Sequence, residues 1–321
     1  MLSGKELILA TRPYAREIRS KSWLYTLSTL FLLMADMAAT LFAPYLIVRI
    51  ICSLPLGLLM IRLFIIYHDY EHHAIFNKSW WAHIIMPLYG AYVLAPQSIW
   101  KRSHDHHHKH NSKLFTTSIG SYLVLTKTKF LSLSKRDQRI YLASRHPITI
   151  LLGYFFIFML GMCVGSFISS PRKHYDSLLA LIAHFAISFA IVYFFGWITW
   201  LLAIFIPFNV ASALGAYLFY AQHNFPDVEF SDSGEWCYEK AALESSSFMD
   251  LSPIMHWFTG NIGYHHIHHL NSRIPFYRLP EAMRNIPELQ QVKTTTLSPK
   301  DILACLRLKV WDQDTQRMVH I

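Results

Sequence analysis

Three short histidine runs carry the chemistry that this chain could perform. They are His68-Asp69-Tyr70-Glu71-His72-His73, Trp100-Lys-Arg-Ser-His104-Asp105-His106-His107-His108-Lys109-His110 and Gly263-Tyr264-His265-His266-Ile267-His268-His269-Leu270. Twelve of the 19 histidines fall in these runs. On a helix His68 and His72 stand at i and i+4. His104, His107 and His108, like His265, His268 and His269, stand at i, i+3 and i+4, so each run offers imidazoles from one side of a turn. One such run is ordinary as a solvated face; three at helical spacing point to metal. Imidazole suits iron, copper, nickel and zinc, so ligand type alone does not choose the ion. The eight histidines so spaced exceed what one ion can take, which points to two. The zinc protease string HExxH and the Glu-x-x-His pairs of soluble di-iron bundles are both absent.

The elements that must position these runs are membrane helices. Of the 321 residues 53% are hydrophobic and only 15% charged, which excludes disorder, collagen and coiled coil. Apolar runs reach the roughly 20 residues a membrane helix needs. The pattern predicts an all-α integral membrane protein with four spans in two hairpins, at about 24–46, 47–67, 148–168 and 178–206. Pro207 is expected to end the fourth span and begin an interfacial helix running to Gln222, and the aromatic stretch Trp80 to Ala95 is expected to lie in the interface too.

Residues 68–146 and 222–321 are then a helical cap carrying a histidine-rich di-metal site, all within one domain spanning 1–321. Most of the 29 lysines and arginines fall before residue 22, between His68 and His146 or after His223, so these segments and both termini are expected on the cytosolic side of a cytoplasmic membrane. The loop Ser169 to Asp176 and the turn Pro44 to Arg49 are expected on the opposite side. A net charge of +9 reads as this bias and as attraction to anionic lipid, not as nucleic-acid binding. Asp36 and Arg62 interrupt otherwise apolar spans, and are expected to pair with each other, or Arg62 to snorkel. The first apolar run lacks a small-residue cleavage site and reads as a retained helix. The four cysteines form no CxxC pair and read as apolar fillers.

At the combination HDxxHH, WKRSHDHHH and GNIGYHHIHHLNSRIPFYRL, the chain resembles the membrane fatty acid desaturases, specifically the acyl-lipid delta-12 and bacterial delta-5 types. The similarity runs from about residue 60 to 290. It includes Gln222-His223-Asn224-Phe225, Glu235-Trp236, Ser245-Ser246-Ser247 and Trp257-Phe258-Thr259-Gly260-Asn261-Ile262-Gly263.

The resemblance implies two irons held by histidines at the cytosolic membrane edge, with O2 as co-substrate. Position by position it implies His68, His72, His104, His107, His108, His223, His265, His268 and His269 as ligands, with His73 either a ligand or a support to one. It implies, by weaker analogy, that Asn261 approaches the metal through water; a turn role beside Gly260 and Gly263 is the plainer reading. Where many relatives carry Cys-Gly, this chain has Tyr70 and Glu71. Because neutral imidazoles bring no negative charge, Asp69, Asp105, Glu71, Asp227 and Glu229 are expected to accept ring protons from ligand histidines, with Asp69 and Asp105 the leading ones. His106, His110 and His266 lie off the spacing and are expected outside the ligand set.

The implied activity is oxygen-dependent desaturation of a lipid- or carrier-linked acyl chain, oxidoreductase chemistry that makes a cis double bond. An apolar tunnel would hold the chain, and Lys101, Arg102 and Arg273 its headgroup or carrier. His146-Pro147 continues with Ile148-Thr149, without a fused haem motif, so the electrons are expected from a separate ferredoxin or cytochrome. A di-iron lipid hydroxylase and a histidine-rich metal transporter remain the alternatives.

Overall fold

The computed structural model describes residues 2–114, 122–231, 234 and 236–321. Helices α1 (Arg19–Phe42) and α2 (Leu46–Glu71) are joined by three residues and lie along one another. Both are long and apolar enough to cross a membrane. α1 exposes Leu24, Phe31 and Met34, whereas α2 is buried through its last four turns, where the first histidine run begins. The two helices of the same hairpin are thus solvated differently, one exposing an apolar face and the other enclosed by protein.

Helix α3 (Trp80–Tyr92) and helix α4 (Gln97–His110) fold back on those last turns of α2. Tyr89 donates to the Met60 carbonyl at 2.5 Å and Tyr67 to the Ala95 carbonyl at 3.1 Å. α3 exposes Trp80, Trp81 and Leu88 while burying Ala82, Met86 and Tyr89. It is therefore one-sided. The whole of the second histidine run stands on α4.

Helices α5 (Tyr175–Phe195) and α6 (Trp197–Ala221) complete the four that could span. The expected helix 178–206 is corrected here: the break falls at Gly196, not at Pro207. Gly196 has φ of +82°, a conformation that side chains disfavour, and it turns the chain sharply between α5 and α6. Pro207 instead sits inside α6, just after the π-helical stretch Leu201–Phe205. A wide turn there absorbs the amide that proline lacks, so the helix continues.

The expected span 148–168 is corrected as well. It is helical, but most of it is a π-helical stretch, Tyr154–Gly165, and it does not lead to the opposite side. Cys163 Sγ donates to the Leu94 carbonyl, and the Ser166 and Ser177 hydroxyls meet at 2.9 Å. Asp176 accepts from Ser98 N at 2.9 Å and from Ser98 Oγ at 2.5 Å. Ser98 opens the helix that carries the second histidine run, so the loop 169–176, with Arg172 and Lys173, belongs to the histidine end. α5 then leads away to the far end, where Phe195 packs on Phe42 and Arg49 reaches Thr199, and α6 returns. An even number of crossings still separates the histidine runs.

Asp36 and Arg62 do not pair. Arg62 is buried and donates to Thr29 Oγ1 at 3.1 Å and to the Trp257 carbonyl, with its guanidinium 4.0 Å from the Trp257 ring centre. It thereby ties α1 and α2 to the short helix Pro253–Phe258 ahead of the third histidine run. Beyond α6 the chain forms short helices and two-stranded pieces, among them Phe248–Asp250 parallel to Thr294–Thr296 and Val310–Asp312 antiparallel to Arg317–Val319. Helix α7 (His265–Leu270) carries the third run and packs Ile267 and Leu270 against Leu7, Leu279 and Leu289. Among the cysteines Cys163 and Cys305 are buried fillers, while Cys237 is exposed.

Candidate metal centre

The last turn of α2, the second half of α4, the second residue after α6 and the whole of α7 converge on one volume. Each brings histidines for a local reason. α4 starts after Pro96, and α7 follows the turn 259–264, where Gly260 adopts φ of +53° and a Cβ on it would stand 2.8 Å from Ile65. That close approach sets α7 against the end of α2.

The histidines sort into two groups whose nitrogens lie within 4.8 Å of one another: His68, His72, His104, His108 and His268, and His107, His223, His265 and His269. All nine sequence-predicted imidazoles are therefore brought together. The i, i+3, i+4 runs, however, do not each serve one group. On α4, His104 and His108 face the five-membered group while His107 turns to the other. On α7, His265 and His269 face the four-membered group and His268 crosses back. The groups touch, with the His108 and His269 rings stacked 4.2 Å apart.

Within the first group Nε2 of His104 lies 3.0 Å from that of His68 and 3.1 Å from that of His108, which is 3.0 Å from His268. In the second, His107 and His223 are 3.0 Å apart, His265 and His223 2.9 Å, and His269 and His265 3.2 Å. Two imidazole nitrogens each about 2.0–2.1 Å from one ion and roughly at right angles would stand about 3 Å apart. Tautomers sharpen the point. His223 Nδ1 is 3.0 Å from the Ser245 carbonyl, which can only accept, so its proton is there and Nε2 presents a lone pair. His68 Nδ1 likewise meets Asp69 at 3.1 Å. His72 Nε2 is buried with no hydrogen-bond partner among the described residues. Converging lone pairs need a cation.

Burial and, after it, neighbouring imidazoles hold the His72, His104, His107, His265 and His269 pKa values well below the ordinary range. His108 and His268 follow, and burial brings His223 down to about 4. They are neutral at physiological pH, the form in which imidazole ligates metal. These residues fit a pair of metal ions.

The surrounding carboxylates divide. Asp69 is buried, meets His68, and accepts from the Phe276 amide at 2.6 Å, so the ring and the chain after α7 share one carboxylate. Asp105 does not reach a histidine: it pairs with Lys101 at 3.4 Å on the outer face of α4. Glu71 is buried beside Gln97, away from the rings. Asp227 is exposed in a turn, and Glu229 pairs with Lys293 at 2.8 Å. Glu229 contributes only through its carbonyl, which accepts from the Ser245 hydroxyl at 2.5 Å behind the carbonyl that orients His223.

His73 has φ of +57°, is exposed and stands outside both groups. Asn261 is a turn residue that donates to the Phe276 carbonyl at 3.1 Å. His266 Nε2 lies 3.0 Å from the Leu289 carbonyl, and His106 and His110 stack on each other at 4.1 Å. Tyr70 meets His83 at 2.6 Å. Lys101 donates to the Glu71 carbonyl at 2.6 Å, whereas Arg102 and Arg273 are exposed. Glu235 lies outside the described residues.

Two features were not anticipated. Trp100, one turn before His104, stacks on its ring at 4.5 Å; the i, i+4 spacing in the run was the available signal. Arg145, fully buried, holds Asn224 Oδ1 at 3.0 Å and the carbonyls of Tyr122 and Leu123. Those residues wall a cavity beside His107 and His223 that Val124, Phe219 and Phe230 also line.

Comparison with known proteins agrees with this arrangement. Residues 43–296 match the fatty acid desaturase family. A fatty acid desaturase of Bacillus subtilis is 34% identical over 259 residues, covering 80% of this chain and 73% of the relative. An sn-1 oleoyl-lipid 12-desaturase of Anabaena variabilis is 24% identical over 310 residues, 89% of this chain and 84% of the relative. An sn-1 acyl-lipid omega-3 desaturase (ferredoxin) of a Nostoc species is 24% identical, covering 72% and 65%. Four helices fit to span a membrane, two histidine groups at their common end and a family match across most of its length make this chain a member of the fatty acid desaturase family.

Proposed function

We propose that the protein is an oxygen-dependent fatty acyl desaturase that makes a cis double bond in a lipid- or carrier-linked acyl chain, with two irons held by His68, His72, His104, His108 and His268 and by His107, His223, His265 and His269. The observation that carries this reading is the pair of touching imidazole groups, buried except for the half-buried His223, at one end of the apolar helices. Bound there, two irons with oxygen, two protons and two electrons would supply the oxidant that takes two hydrogens from adjacent methylenes, leaving an alkene and two waters. An unactivated methylene has no acidic proton, so this step belongs to a cofactor and the protein's task is placement.

The chain's own residues supply that placement. Asp69 and the Ser245 carbonyl hold His68 and His223 in one tautomer and orientation. Trp100 and Phe219 close apolar surface over His104 and His107, which keeps water from the rings. A transporter would instead line a pathway through its spans, and these imidazoles stand at the helix ends. The two electrons come from a separate ferredoxin or cytochrome, and the histidine end with both termini faces the cytosol of a cytoplasmic membrane, consistent with the basic residues there.

Expression in a host with defined lipids, followed by mass spectrometry, tests the reading. Acyl chains short of two hydrogens support it, provided that the His268→Ala chain inserts and makes none. A gain of one oxygen would identify a hydroxylase, and unchanged lipids together with metal uptake into vesicles a transporter.

A further inference from the structure

Residues 127–144 contribute nothing to the histidine groups, yet they form a stiff unit. A helix at Lys127–Ser132 and one at Lys135–Ser144 fold together, capped by Thr126, which accepts from Lys129 N, and by Ser134, which accepts from Asp137 N and donates to its carboxylate. Phe130 and Tyr141 pack inside at 5.5 Å, and Gln138 donates to the Phe130 and Leu133 carbonyls. Against this closed interior the outside is unusual. Leu131 is 61% exposed and Ile140 57%, and the same two helices expose Lys129, Arg136 and Arg139, which form no ion pair among the described residues.

We propose that this unit rests on an anionic lipid leaflet, with Leu131 and Ile140 inserted between headgroups and Lys129, Arg136 and Arg139 paired to their phosphates. Two exposed aliphatic side chains on a short two-helix unit that also exposes three cations suit an interface that is apolar below and negative above. Continuity favours lipid over an acidic protein. Seven residues after Ile140 the chain enters the apolar segment, whose first turns expose Ile148 at 56% and Leu151 at 62%, and the Thr149 hydroxyl on the Ala143 carbonyl ties the two together. The exposed aliphatic surface of the unit therefore runs into surface that faces lipid.

The contact also bears on the cavity beside His107 and His223. Tyr141 accepts from the Leu125 amide and donates to the Lys309 carbonyl, and Arg145 just beyond the unit holds the Tyr122 and Leu123 carbonyls in the cavity wall. A unit seated on headgroups fixes that wall at the level from which an acyl chain of a membrane lipid would arrive. This consequence rests on the proposed desaturase reading; the lipid contact does not.

The full chain, with Cys237→Ser to remove the exposed thiol and either Leu131→Cys or Ile140→Cys, is labelled with a polarity-sensitive fluorophore and reconstituted into phosphatidylcholine vesicles with and without phosphatidylglycerol. The expected result is emission shifted to the blue, quenching by nitroxide lipids that exceeds quenching by aqueous iodide, and a response that grows with phosphatidylglycerol and weakens with salt. Arg136→Glu with Arg139→Glu should abolish the phosphatidylglycerol response while metal content stays unchanged. A label that iodide reaches freely in both vesicle types would overturn the proposal and leave the face to an acidic protein. A phosphatidylglycerol response that survives the charge reversal would overturn the headgroup pairing. Neither readout needs turnover, so a chain that seats on lipid but never desaturates would refute the function proposed above and not this contact.

Discussion

The two histidine groups are built from the same motifs yet differ in what surrounds them. The five-membered group lies inside protein: Trp100 stacks on His104, Asp69 holds His68, and each of its five residues is buried. The four-membered group has one fewer imidazole, a backbone carbonyl in place of a carboxylate behind His223, and a cavity against His107 and His223. The carboxylate adds negative charge to one group and makes His68 a stronger donor, while the other keeps room beside it. Position among packed elements, not residue type, separates an enclosed group from one beside a cavity.

Removal of a shared element should have the largest effect. His108→Ala touches both groups, through its nitrogen to His104 and its ring to His269, so turnover is expected to vanish and bound metal to fall in a chain that still inserts, as read by product and metal analysis. Next, the asymmetry itself can be broken. His223→Ala leaves three imidazoles and should lose one ion per chain, whereas His72→Ala leaves four and should keep both ions at lower affinity; equal losses would show that the groups are equivalent.

A finer contrast is Asp69→Asn, which preserves size while removing the charge beside His68. It should weaken metal binding by roughly 10–100-fold, measured by chelator competition, with the deficit confined to one ion. The smallest effect belongs to Asp105→Asn. That carboxylate meets only Lys101 on an exposed helix face, so stability should change by no more than about 1 kcal/mol and metal content not at all.

Asp69 and Asp105 show how far sequence reasoning reaches. Both precede or follow a histidine by one residue, and adjacency cannot tell which turns inward. Asp69 ends a helix enclosed by α4 and by the chain after α7, whereas Asp105 stands on the outer face of α4. The spans show the same limit. Hydropathy marked the run from Leu178 to Ala221 as apolar throughout, and proline was the visible interruption, but a π-helical turn absorbed Pro207 and the break went to Gly196. The pairing of Arg62 with the Trp257 carbonyl joins residues far apart in the chain that no periodicity connects.

What the sequence by itself determined is an inventory of helically spaced imidazoles and the apolar runs that carry them. Imidazoles at three- and four-residue spacing and runs of lipid-soluble side chains are local properties, written in neighbouring residues. Tertiary structure alone decided the division into five and four, the choice of supporting carboxylate and the cavity at one group. Each depends on which faces of separate helices meet, and adjacent rings on a helix point some 100° apart, so only the meeting of helices settles which ring each one finds.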